Sequence, residues 1–239
     1  PDPSSQLACT LAGNIAMNSG GAHCLKYGVT TNNVLGVKMV MIDGSIVEIG
    51  GAHLDAEGYD LLALIIGSEG QLGIVTEATV RILRQAEGAR PMLIGFESTA
   101  KASICVSRII ASGIVPVAIE FMDRPAIEVC EAFAKAGYPL DVEALLIVEV
   151  EGSEEEINDR LAYIAGIAEE LAPSALVISA DDAQSAKIWK GRKSAFGAIG
   201  RKADYLCMDG TIPLSQLTFV LDEITAICQR YGLGVANVF

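Results

Sequence analysis

The sequence predicts an α+β protein built in two parts, and three observations carry that reading. Roughly the first 85 residues are rich in glycine and in short strand-like runs. A polar, turn-forming stretch follows, Glu87-Gly88-Ala89-Arg90-Pro91. Beyond it, strand and helix signals alternate to the end of the chain. The expected units are therefore 1–86 and 87–239.

In the first unit, Asn33 to Val40 and Ser45 to Ile49 flank an Asp43-Gly44 turn and read as a β-hairpin that Gly50-Gly51 ends. Asp60 to Ile66 suits a short helix, and Gly73 to Leu83 a strand. In the second unit Met92 to Glu97 reads as a strand and Thr99 to Ala111 as a helix. Val117 to Met122 is a strand, and Pro125 to Ala136 is a helix with proline in its first turn. Ala144 to Val150 is an apolar strand.

The helix after Gly152 carries the fullest set of signals. Ser153 with Glu156 forms a capping box, and three glutamates complement the dipole of the first turn. Ile157, Leu161, Ile164, Ala168 and Leu171 then repeat at helical spacing. Leu176 to Ser179 reads as a strand, Asp182 to Ile199 as one helix, and Tyr205 to Met208 as a strand. A last helix, Ser215 to Tyr231, turns Leu217, Val220, Leu221, Ile224 and Cys228 inward. Such alternation suits a doubly wound parallel sheet, although no strand is followed by G-x-G-x-x-G at a helix start. Helices on one face of a mostly antiparallel sheet suit it equally, and the alternation leaves both arrangements open.

Composition narrows the function classes. The formal net charge of −13 repels phosphate backbones and anionic lipid, which argues against nucleic acid or a membrane surface as main partner. The longest apolar runs are far too short to span a bilayer, and no secretory signal is visible, so a cytoplasmic location is expected. Cations gather locally at Lys187, Lys190, Arg192, Lys193, Arg201 and Lys202; charge alone favours a solvated helix face there over an anion site. The cysteines, at 9, 24, 105, 130, 207 and 228, form no metal-ligand spacing, and Cys105, Cys130 and Cys228 read as small buried hydrophobes. Neither a metal site nor a disulfide framework is expected. The opening Pro1-Asp2-Pro3-Ser4-Ser5 reads as a loop and the closing Gly234 to Phe239 as a strand stopped partway, so the chain is expected to be a piece of a longer protein.

Two glycine clusters dominate the first unit: Ala12 to Gly21, running on to Lys26-Tyr27-Gly28, and Gly67 to Glu77. Small residues let the backbone approach a flat or phosphorylated ligand and leave N–H groups to donate to it. They serve tight turns equally well.

On PDPSS, GNIAMNSGGAHCLKYG, GYDLLALIIGSEGQLGIVTEATV, and WKGRKSAFGAIGR followed by CMDGTIP, the chain resembles the family of the glycolate oxidase FAD subunit. D-lactate and D-2-hydroxyglutarate dehydrogenases belong to the same family, the FAD-linked oxidases of vanillyl-alcohol-oxidase type. The resemblance implies the second part of a PCMH-type FAD-binding domain, followed by a ferredoxin-like α/β sandwich substrate (cap) domain incomplete at its C-terminus. It implies FAD as cofactor, lying along Pro3, Ser4, Gly13, Asn14, Ser19, Gly20 and Gly21. Tyr27 and Gly28 would close that wall. Glu69, Gly70, Gly73, Ile74 and Val75 would add contacts, the last two through backbone groups.

Arg192 matches an arginine that holds the substrate carboxylate in the family, a task suited to a planar two-pronged donor. The implied reaction is oxidation of a small 2-hydroxy acid to the 2-oxo acid. Hydride passes to flavin N5 and electrons go on to a second acceptor, with an iron–sulfur and a second flavin-fold subunit as partners. Those subunits could place the protein at the periphery of the inner membrane. Ala12 and Gln71 depart from the family's usual glycine and threonine. The family's first flavin-binding half would precede Pro1, and its HxGDGNxH motif, bearing the base, would follow Phe239. This stretch alone is therefore expected to be inactive and to hold flavin weakly or not at all. Of the histidines present, His23 reads as packing and His53 as a surface loop residue. An aryl-alcohol-type oxidase, a flavin reductase and a non-catalytic assembly module are the rival expectations.

Overall fold

The computed structural model describes residues 1–52 and 58–239, so the reading of His53 lies outside the described residues. They form two compact units, Pro1–Gln85 and Ala86–Phe239.

The first unit runs α1 (Leu11–Met17), α2 (Cys24–Tyr27), β1 (Val34–Val40), β2 (Ile46–Gly50), α3 (Leu61–Ile65) and β3 (Ile74–Val80). Its sheet has the order β2-β1-β3 with both pairs antiparallel. The hairpin forms where the Asp43-Gly44 pair demands it. Gly44 adopts φ 81°, and the Asp43 carboxylate accepts from Ser45 N at 2.9 Å and Ser45 Oγ at 2.6 Å. Hydrogen bonds from Ser45 hold the Asp43 pKa below the usual value. On the central strand Val34, Val37 and Met39 are buried against Ile15 of α1 and against Ile65 and Ile66.

The second unit contains β4 (Gly88–Phe96), α4 (Thr99–Ala111), β5 (Ala118–Asp123), α5 (Arg124–Ala134), β6 (Ala144–Gly152) and α6 (Glu154–Glu169). After these come β7 (Ala175–Ile178), α7 (Asp182–Lys193), α8 (Ala195–Lys202) and α9 (Leu217–Arg230). The strand order is β5-β6-β4-β7, antiparallel throughout. Each β-α-β passage, β4-α4-β5 and β6-α6-β7, leaves a gap that a strand of the other fills. This is the split arrangement of a ferredoxin-like sandwich.

The antiparallel pairing decides between the two arrangements the sequence left open, but helices cover both faces rather than one. Met92, Ile94, Leu146 and Val148 pack with α4, α6 and α9. Leu93, Met122, Leu145 and Ile147 pack with α5, α7 and α8. The uninterrupted burial of β6 from Ala144 to Val150 is the imprint of a strand covered on both sides.

Several elements differ from their sequence reading. β4 begins at Gly88, inside the polar stretch. Pro91 is tolerated there because the residues paired with β7 start only at Met92. The single helix expected over 182–199 is broken at Ser194. Its hydroxyl donates to Lys190 O at 2.6 Å and its N–H is shared between Lys190 O and Gly191 O, which ends one helix as the next begins. Tyr205 to Met208 is not a strand: Tyr205, Leu206 and Met208 are exposed, and a short apolar run takes strand geometry only from a neighbouring ladder. Of the strand expected near the end, Val238 makes one antiparallel bridge to Met122. Phe239 exchanges backbone hydrogen bonds with Phe121 and stacks on its ring at 4.8 Å.

Cys105 and Cys130 are fully buried, and burial pushes both thiols up to about 11; Cys228 is half-buried only. Among the described residues, no helix is long and apolar enough to cross a membrane, and no group of His, Cys, Asp and Glu could hold a metal ion.

Candidate functional site

In the first unit, the two glycine clusters meet. Thr10 caps α1, its hydroxyl accepting from Gly13 N at 3.0 Å, and Asn18 ends the helix in a left-handed conformation at φ 46°. The second cluster docks on that end: Gly67 N donates to Ile15 O at 2.9 Å and Glu69 N to Ala16 O at 2.8 Å. Positive φ at Gly67, Glu69 and Gly70 folds the segment tightly enough to do so.

The remaining sequence-predicted residues surround this joint. Ala22 N and His23 N donate to Asp2 O and Pro1 O, which places the opening loop, with Pro3 and Ser4, beside Gly20-Gly21. Thr30 Oγ1 donates to Ser19 O at 2.8 Å and Asn33 Nδ2 to Tyr27 O at 2.9 Å, drawing Tyr27-Gly28 to the same place. Asn14 lies on α1, its amide donating to Cys9 Sγ at 3.5 Å. Gly73, Ile74 and Val75 open β3. Met17 and Ile74, near the ends of the two clusters, leave apolar surface 61% and 70% exposed. His23 Nε2 stands 3.7 Å from Asp2 Oδ2.

The glycines divide by what the fold itself requires. A Cβ on Gly21 would strike the backbone of Asp2 and Pro1, one on Gly28 the side chain of Asn32, and one on Gly73 the Met39 side chain and Val40 O. Packing explains these three. Gly20 is different: its φ lies outside the left-handed region, and a Cβ there would meet only ordinary contacts, Cys24 Sγ at 3.4 Å and Val29 Cγ1 at 3.7 Å. It is exposed, as are Gly13 and Gly70, and nothing lies within 4 Å of the Gly70 Cβ position. Exposed backbone without side chains, tied into one wall, fits a flat dinucleotide such as FAD.

In the second unit the cationic patch separates into two populations. Lys187, Lys190, Arg201 and Lys202 are exposed, whereas Arg192 and Lys193 are half-buried against the sheet. Arg192 Nε lies 2.6 Å from Glu120 Oε2, the two side chains being 18% and 8% exposed. Its N–H does not point along that line, so the contact is a charge pair rather than an aligned hydrogen bond.

One turn back on the helix, Trp189 Nε1 donates to Glu149 Oε1 at 2.6 Å, and Lys193 Nζ lies 5.8 Å from the centre of the Trp189 ring. Glu149 pairs with Ala118 across the β5–β6 ladder, so Glu120 and Glu149 are diagonal neighbours on one face. Tyr138 donates its hydroxyl to Ile188 O at 2.5 Å, fixing α7 from the other side; burial pushes its pKa well up. Gly191 makes that approach fit, since a Cβ there would fall on the Tyr138 phenol and 2.7 Å from Ala136 Cβ.

Sequence reasoning missed Glu120 and Glu149. The signal was present in both: an acid inside the apolar runs Val117 to Met122 and Ala144 to Val150, at positions of inward parity.

Residues 86–239 match the family model described as "FAD linked oxidases, C-terminal domain", and residues 1–50 match "FAD binding domain". The chain is 45% identical over its full length to glycolate oxidase subunit GlcD of Escherichia coli K12, covering 48% of that protein. GlcD of Bacillus subtilis is 36% identical over 99% of the chain, and a D-lactate dehydrogenase of Archaeoglobus fulgidus 30% identical over 98%; the chain covers 51% of each. The chain thus spans about half the length of these relatives.

Among solved structures, an alkyldihydroxyacetonephosphate synthase aligns with a TM-score of 0.71 at 20% identity, over 95% of this chain and 47% of that one. p-Cresol methylhydroxylase aligns at 0.60 and 13% identity, over 80% and 44%. At such identities these two speak for the fold alone.

Proposed function

The chain belongs to the FAD-linked oxidases, and on that footing we propose that it serves an FAD-dependent enzyme oxidising a small 2-hydroxy acid of the glycolate or D-lactate kind. The observation that carries this is the joining of the two glycine clusters by Gly67 N–H and Glu69 N–H on the carbonyls of Ile15 and Ala16, which makes one exposed backbone wall. Gly13, Gly20 and Gly70 would form its open surface. Pro3, Ser4, Asn14, Ser19, Gly21, Tyr27, Gly28, Glu69, Gly73, Ile74 and Val75 frame it or hold its shape. The chemistry FAD supplies when bound is acceptance of hydride from the carbon bearing the hydroxyl.

In this reading Arg192 binds the substrate carboxylate and so orients the rest of the molecule, since fixing one end of a small substrate removes most of its freedom to misalign. Trp189, held by Glu149, and Ile188, held by Tyr138, keep the backbone around Arg192 still. Relatives named as subunits fit an assembly in which a further protein, an iron–sulfur subunit, receives the electrons in the cytoplasm. Substituting Arg192→Ala in the flavin-loaded enzyme tests the assignment. KM for glycolate or D-lactate should rise by roughly two orders of magnitude, the loss of a charge-assisted bidentate contact. An unchanged KM refutes the role of Arg192.

A further inference from the structure

We infer that Glu120 is the positioning residue for Arg192, its buried carboxylate fixing where the guanidinium charge rests. The inference rests on Arg192 being the carboxylate anchor, as proposed above.

A guanidinium can grip a carboxylate with two parallel bonds from either its Nε/Nη side or its Nη/Nη end. Glu120 Oε2 lies 2.6 Å from Nε but off the line of its N–H, so it takes neither grip and holds the ion through charge.

The acid fixes the arginine rather than following it. Glu120 lies within β5, its backbone in register with Ile147 of β6, and Phe121 beside it is buried. Arg192 sits on a long stem with many rotamers, so the partner on the rigid strand sets where the charge rests. The base of that stem is held independently, through Trp189 on Glu149 and Tyr138 on Ile188 O. Stability alone gives little reason for the pair, because a well-packed apolar residue in place of a buried ion pair is often neutral or better. A fixed charge at a defined place is what the arrangement adds. Lysine cannot replace Arg192 here, since one ammonium cannot present a bidentate edge while paired to Glu120.

The test is steady-state kinetics of the flavin-loaded enzyme with glycolate or D-lactate, comparing Glu120→Ala, Glu120→Gln, Arg192→Ala and the double Glu120→Ala/Arg192→Ala variant. Glu120→Ala should raise KM by about tenfold with a smaller fall in kcat, as expected for a misplaced anchor. Glu120→Gln, which keeps the size but removes the charge that holds the guanidinium, should raise KM nearly as much. In the Arg192→Ala background the loss of Glu120 should change nothing further, because the two act as a unit.

A parental KM for Glu120→Ala beside a large effect of Arg192→Ala overturns the positioning role and leaves the carboxylate anchor standing. A parental KM for Arg192→Ala overturns both. A parental KM for Glu120→Gln shows that the charge of Glu120 does not hold Arg192, and rejects the inference. If Glu120→Ala loses its flavin spectrum or unfolding midpoint, Glu120→Asp takes its place, keeping the charge but withdrawing it by one carbon. The same rise in KM is expected from it, and a parental value overturns the inference.

Discussion

Adding one methyl group to Gly191 should destabilise the second unit, while the same change at Gly166 should stabilise it. Both residues lie inside helices, so alanine gains roughly 0.8–1 kcal/mol of helix propensity at either site. At Gly166 nothing lies within 4 Å of the new carbon, so that gain is kept. At Gly191 the carbon falls on the Tyr138 phenol and 2.7 Å from Ala136 Cβ, and neither neighbour can withdraw freely. Tyr138 is 4% exposed and bonded to Ile188 O, while Ala136 has no rotamer to change. Overpacking of this kind costs about 1–3 kcal/mol, which outweighs the propensity gain and leaves Gly191→Ala about 1 kcal/mol less stable.

The helix must move outward to relieve the clash. Arg192, the next residue, moves with it, and KM for the hydroxy acid should rise several-fold. Urea denaturation read by tryptophan fluorescence reports the right unit, because the chain's one tryptophan is Trp189. A Gly191→Ala midpoint at or above that of Gly166→Ala would refute the reasoning, since it would mean that α7 is not clamped by Tyr138.

Other outcomes follow from local features. With a thiol-labelling reagent at mildly alkaline pH, exposed Cys207 should react at once, whereas Cys105 and Cys130 should react only on unfolding. Because burial raises both buried thiols from 9.0 to about 11, the folded state favours the neutral form. Their contribution is therefore complete below about pH 9 and is lost as pH climbs towards 11, so an alkaline unfolding titration should fall in that window. Cys105→Ala should reduce the fall. Ser153→Ala removes the hydroxyl that accepts from Glu156 N at 3.3 Å and should cost about 1 kcal/mol in the same urea assay.

Much of the fold is legible where local chemistry and tertiary packing agree. Asp43-Gly44 specifies its hairpin through side-chain bonds and a positive φ, and Ser153 with Glu156 starts α6 as its capping pattern requires. Thr99 to Ala111 is helical over the range its pattern indicates. The misses arise where a non-local partner decides. Tyr205 to Met208 has strand-like composition and no ladder, while Gly88 to Pro91 has turn composition and is drawn into a strand by β6.

Serine favours helix ends over interiors, but a single Ser194 within the long run from Asp182 to Ile199 does not by itself fix a break. In the candidate site, glycine clusters are visible in sequence, but their contact through Ile15 and Ala16 is not. Arg192 is visible by resemblance to a family motif. Its partner Glu120, distant in the chain and set in an apolar strand, becomes meaningful only once α7 is laid across the sheet.

The most direct test of the central claim is the flavin content of the intact enzyme carrying Gly20→Ala. A Cβ at Gly20 meets only ordinary contacts, so the variant should unfold at the parental midpoint, yet its methyl group should hold FAD off the backbone wall and lower the flavin-to-protein ratio. A variant that keeps the parental flavin ratio and affinity would contradict the claim that this wall holds the cofactor.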